Sequence, residues 1–94
     1  MIKTEPGRII IEVGIRFDNV QTVSESVLRH LQDKKVAIFF CKTERYDSSV
    51  LAAIFAWLRK AQDDGIDLVF SEVPEEILDL ADLYGIQELL SIGQ

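Results

Sequence analysis

Positive charge runs out early in this chain. Lys60 is the last cation; the nine charged side chains after it are all Asp or Glu. Residues 1–60 carry ten Lys/Arg against seven Asp/Glu, so a net +3 segment precedes a −9 segment, giving −6 overall. Wrapping a nucleic acid or lying on an anionic membrane needs clustered cations, and the last third has none. There is one cysteine, Cys41, so no internal disulfide can form, which fits a reducing compartment. Long apolar runs are missing too. The longest nearly uncharged stretch, Ser48 to Leu58, is far too short to span a bilayer, so no direct membrane insertion is expected. The opening MIKTEPGR has no apolar core of the signal-peptide kind. With no repeat, low-complexity tract or Pro/Gly-rich linker, the expectation is a single cytosolic domain over residues 1–94, with a core of about 8–92.

Catalytic signatures are equally scarce. No Gly-rich phosphate loop, HExxH, GxSxG or CxxC occurs. The one histidine, His30, falls on the polar side of a helical pattern beside Arg29, where a solvated residue is the expectation. Cys41 ends an apolar run and reads as an inert core thiol. Glu75, Glu76, Asp79 and Asp82 fall on or near one polar helix face rather than in a metal cluster. No catalytic residue, cofactor or metal site is expected.

The remaining residues, 48% of them hydrophobic, suffice for a folded core. Pro6-Gly7 marks a turn before Arg8–Ile15, where β-branched Ile9, Ile10, Ile11 and Val13 read as a strand. Asp18-Asn19 breaks it and offers an N-cap; Thr22 and Glu25 have capping-box spacing, and Val20, Val23, Val27, Leu28 and Leu31 recur at helical intervals to about Asp33. The apolar run Val36–Cys41 reads as a strand buried on both faces, as in a parallel sheet. Asp47-Ser48-Ser49 then begins a helix over Val50–Gln62 that Gly65 ends. Ile66–Phe70 is a further strand, parallel to Val36–Cys41 through a right-handed crossover. Pro74 opens a last helix with the stripe Ile77, Leu80, Ala81 and Tyr84, which Gly85 ends, and Ile86–Ile92 is a short closing element. The fold class is α/β, a mixed sheet of about four to five strands with helices packed on it.

One constellation points to function. Tyr46-Asp47-Ser48-Ser49-Val50 begins a helix just beyond the carboxyl end of a central strand, where α/β sheets usually place their sites. Unpaired N–H groups and the helix dipole favour negative charge there. A capping cluster with no further role explains the same residues. The helix that follows has an apolar arc wider than a sheet-facing helix needs: Leu51, Ile54, Leu58 and Ala61 face the core, Phe55 extends one side, and Val50, Ala53 and Trp57 extend the other. That second flank is either covered by a neighbouring helix or exposed beside the serines as a protein-binding surface.

These residues resemble the STAS domain family, the fold of bacterial anti-sigma-factor antagonists. The likeness runs from about Arg8 to Ile92. Its centre is the strand Ala37-Ile38-Phe39-Phe40 followed by Asp47-Ser48-Ser49-Val50-Leu51. The stretch Trp57–Gly65, then Leu80-Ala81-Asp82-Leu83-Tyr84-Gly85-Ile86 and Leu89-Leu90, is most similar to one branch, the STAS subunit of Mla-type phospholipid ABC transporters. The resemblance implies a module without catalysis whose helix start faces a protein partner; together with the apolar flank, the expected contact residues are Tyr46, Asp47, Ser48, Ser49, Val50, Ala53 and Trp57. In the transporter branch the partner is the ABC transporter ATPase subunit, which would bring the chain to the inner membrane peripherally. In the antagonists, an anti-sigma factor and its serine kinase are the partners, and the phosphorylated residue corresponds to Ser48, with Ser49 the alternative. Two positions depart from the family pattern. Phe39 or Phe40 stands where an acidic residue is usual, and Val50 stands where antagonists have Gly. A β-branched residue there crowds a kinase and stiffens the backbone, which favours docking over switching.

Overall fold

The chain begins with a strand that local pattern does not announce. In the computed structural model, which describes the backbone of residues 1–93 and the side chains of residues 1–90, Ile2–Glu5 forms β1 and pairs antiparallel with β2, Arg8–Ile11. Pro6-Gly7 makes the turn, with Gly7 at φ 73°, a conformation that costs glycine little. Lys35–Phe39 forms β3 and Asp67–Ser71 forms β4. Both run parallel to their neighbours, so the single sheet is mixed, with order β1-β2-β3-β4. The β2 strand is shorter than the β-branched run predicts, because the chain leaves the sheet to form a loop once the Glu12 N–H has bonded the Met1 carbonyl.

Three α-helices follow strands: α1 is Val20–Arg29, α2 is Ser49–Asp64 and α3 is Glu75–Leu83. A 3-10 helix over Gln87–Gly93 closes the chain beside β4, with Leu90 buried. The helix boundaries follow local chemistry. Gly65 sits in the left-handed region at φ 67° and ends α2, and its N–H and that of Ile66 satisfy carbonyls of the last turn. Pro74 occupies the cap position of α3, with Glu75 and Glu76 in the first turn, where the dipole favours them. The first helix ends at Arg29, earlier than the periodicity to Asp33 predicts. Its cap position is Asn19, while Thr22 lies inside the helix and makes no cap.

Register puts Ile9, Ile38 and Phe70 side by side on one face of the sheet. Ile11, Val36, Phe40 and Leu68 join them in the core, where the helices contribute Val23, Val27, Val50, Ile54, Trp57, Ile77 and Ala81. The opposite face carries Ile10, Ala37, Phe39 and Val69, all half-buried. The Arg8 guanidinium lies 4.6 Å from the centre of the Phe39 ring there. The expectation of a central strand buried on both faces is therefore corrected. Successive right-handed crossovers in one direction place α1 and α2 on the same side, so only alternate residues of the apolar run reach a fully closed core. Cys41 lies past the end of β3 and is half-buried rather than a core thiol.

Candidate functional site

Two loops meet at the carboxyl ends of the parallel strands: residues 12–19 between β2 and α1, and residues 40–48 between β3 and α2. Their approach depends on Gly14. A Cβ at this position would lie 2.1 Å from the Arg45 carbonyl oxygen, so any side chain would force the backbones apart.

Asp47 clasps the two loops. Its N–H donates to the Ile15 carbonyl at 3.3 Å, and one carboxylate oxygen accepts the Phe17 N–H at 2.8 Å. The other oxygen accepts the Ser49 N–H at 2.9 Å and the Ser49 hydroxyl. The Ser49 hydroxyl, followed by the Phe17 N–H, holds the Asp47 carboxyl below its ordinary pKa, and nearby Arg16 adds to this. Asp47 thus supplies the cap chemistry expected of it, although Ser48 occupies the formal cap position. Asn19 secures the other loop. Its side chain accepts the Arg16 N–H and donates to the Gly14 carbonyl, each at 2.8 Å.

The serine pair divides its labour. Ser49 is half-buried and bonded to Asp47, while Ser48 is exposed at the helix start. From Ser48 an exposed stripe runs along α2 through Ala52, Phe55 and Arg59, with half-buried Ala56 beside it. The spacing of four, three and four residues is one face of a helix. No charge interrupts it before Arg59, and the Phe55 ring is 44% exposed. Further along, Leu28, Ala56 and Arg59 line a shallow groove of about 380 Å³ at the seam of α1 and α2.

Four of the expected contact residues are placed elsewhere. Val50, Ala53 and Trp57 are 0%, 2% and 0% exposed, so the flank expected beside the serines is closed. Helix α1 packs over it, and the Trp57 indole N–H donates to the Ser24 carbonyl of α1 at 3.3 Å. Tyr46 is also core. Its ring meets Phe40 edge-on at 6.1 Å, and its hydroxyl donates to the Cys41 carbonyl at 2.7 Å. Burial, reinforced by the neighbouring Cys41, pushes the Tyr46 phenol up to about 12. Its N–H donates to Glu76 at 2.8 Å, and Arg45 pairs with the same carboxylate at 3.7 Å. Tyr84 also leaves its expected stripe and is 59% exposed at the end of α3. The stripe that is exposed on α2 is offset from the expected flank. The sequence reading assigns no role to Gly14 or Phe17, and gives Asn19 only that of a helix cap.

The fold, the Asp-Ser-Ser helix start and the strand before it have a counterpart among known families. A family model described as "Mlab, STAS domain" matches residues 3–91. The chain belongs to the STAS domain family. Its role is that of a STAS module, namely interaction and regulation through protein contacts. No curated protein shows a significant match to the chain. Among the described residues of this STAS domain, no helix is long and apolar enough to cross a membrane.

Proposed function

We propose that this STAS domain is the docking subunit of an Mla-type phospholipid ABC transporter, binding the transporter's ATPase subunit without chemistry of its own. The observation that carries the reading is the uncharged outer stripe of α2, from Ser48 through Ala52 to Phe55, at the helix start through which the family works. Small residues let a partner approach the helix closely, and the exposed Phe55 ring offers apolar area at the centre of the contact. The subunit would be held at the inner membrane through the complex.

Tagged chain purified from its native host should bring down an ABC ATPase, and Phe55→Asp should lose it while circular dichroism shows the helices intact. Failure of the wild-type chain to recover any ATPase would end this reading. Trp57→Asp is no test of docking, because it places a charge in the core and unfolds the domain.

A second reading, an anti-sigma-factor antagonist switched at Ser48, draws on the exposure of Ser48 next to the engaged Ser49. A single phosphate on Ser48 after incubation with the host's anti-sigma kinases would favour it over transporter docking.

A further inference from the structure

The most exposed large apolar side chain among the described residues is Phe17, at 85%. It does not sit on a loose loop. The Phe17 N–H is bonded to Asp47, the preceding N–H is bonded to Asn19, and the Arg16 carbonyl accepts the N–H groups of Asn19 and Val20. The turn is closed on both sides of an aromatic ring that touches little of its own domain. An aromatic held in one place and left in water has lost the backbone freedom that binding would otherwise remove, which is the arrangement of an interface anchor. Its position supports this, because Asp47, the residue that fixes it, directly precedes Ser48, where the α2 stripe begins.

We propose that Phe17 is a binding anchor that inserts into an apolar pocket of a partner protein, with Lys or Arg at the pocket rim. This rests on the docking reading of α2 and adds a second point of contact across the Asp47 clasp. The rim chemistry follows from the surroundings. The flanking cations Arg16 and Arg45 are outnumbered by Asp18, Glu44 and Asp47, with Glu76 pairing Arg45. An acidic setting disfavours both an anionic lipid surface and a second copy of the same chain, and it favours a basic partner.

The test replaces Phe17 with the photo-cross-linking residue p-benzoylphenylalanine in the native host. Leu83, 76% exposed at the far end of α3, serves as the matched control site. Illumination should cross-link position 17 to one protein, at a peptide that mass spectrometry maps to an apolar pocket with basic neighbours. Position 83 should not cross-link to that pocket. Phe17→Ala should weaken binding to that purified protein at least tenfold with the thermal midpoint unchanged, Phe17→Trp should retain most of it, and the association rate should fall with added salt. The proposal is overturned by the absence of a position-17 adduct, by an adduct to lipid or to a second copy, or by Phe17→Ala binding within twofold of wild type. If the captured protein is not an ATPase yet Phe17→Ala still weakens binding, the anchor stands and the transporter reading falls. If an ATPase binds and Phe17→Ala is neutral, the anchor falls and the transporter reading stands.

Discussion

Asp47 carries more of the site than any other residue, since a single carboxylate satisfies the N–H of Phe17 on the facing loop and both the N–H and hydroxyl of Ser49 at the start of α2. Its pKa in the folded chain lies below the unfolded value. The unfolded chain therefore takes up the proton first as pH falls, so the contribution of Asp47 is present above the unfolded pKa and is lost as pH drops through the folded one. Asp47→Asn should cost about 1 kcal/mol near neutrality. The gap from wild type in thermal melts should close in the acid range, and a gap that persists at low pH would contradict this account. Tyr46 works in the opposite direction. Its folded pKa of about 12 exceeds the ordinary value of 10, so wild type loses stability between those values as pH rises. Tyr46→Phe should remove that alkaline loss and cost about 1 kcal/mol below it, through the missing bond to Cys41. The Asp-Ser-Ser start was legible in the sequence because cap residues act within three positions of each other. Phe17 was not, since its role is set by a hydrogen bond to a residue thirty positions away.

At the scale of elements, the second helix shows where periodicity succeeds and where it stops. Residue spacing identifies Leu51, Ile54 and Ala61 as core positions, and they are buried. Spacing alone does not say which of two flanks a neighbour covers. That depends on where α1 lands, which the direction of the sheet crossovers decides, and α1 covers Val50, Ala53 and Trp57. Trp57→Ala should therefore destabilise the domain by about 3–5 kcal/mol. Phe55→Ala, on the same helix, should change stability by no more than about 0.5 kcal/mol. Chemical denaturation of the two variants separates these outcomes, and equal losses would contradict the placement of the helix. The strand β1 escaped local reading for a different reason. Its four residues, IKTE, have no alternating apolar pattern, and pairing with β2 through the Pro6-Gly7 turn is what makes them a strand. In β3 the apolar run was visible, but whether its second face would be covered depended on the topology of the whole sheet.

For the molecule as a whole, the charge asymmetry resolves into positions. Asp63, Asp64, Asp67, Asp79 and Asp82 are exposed at the end of α2, at the start of β4 and along α3, while Glu76 is drawn inward to the Tyr46 N–H and Arg45. Lys60 pairs with Asp64 at 2.6 Å and relieves part of the negative charge at the C-terminus of α2. Most of this surface is a solvated acidic face. Among the described residues, the uncharged stripe of α2 and the Phe17 loop offer apolar area to a protein, as do Leu83 and Tyr84 at the end of α3. If the outer face of α2 docks on a transporter ATPase, titration of the purified ATPase subunit with wild-type and Ala52→Arg protein will separate the two. Ala52 is exposed, so arginine there should leave the thermal midpoint unchanged. The dissociation constant should rise at least tenfold, because a bulky charge is placed in the middle of the contact. Binding by Ala52→Arg within twofold of wild type would contradict it.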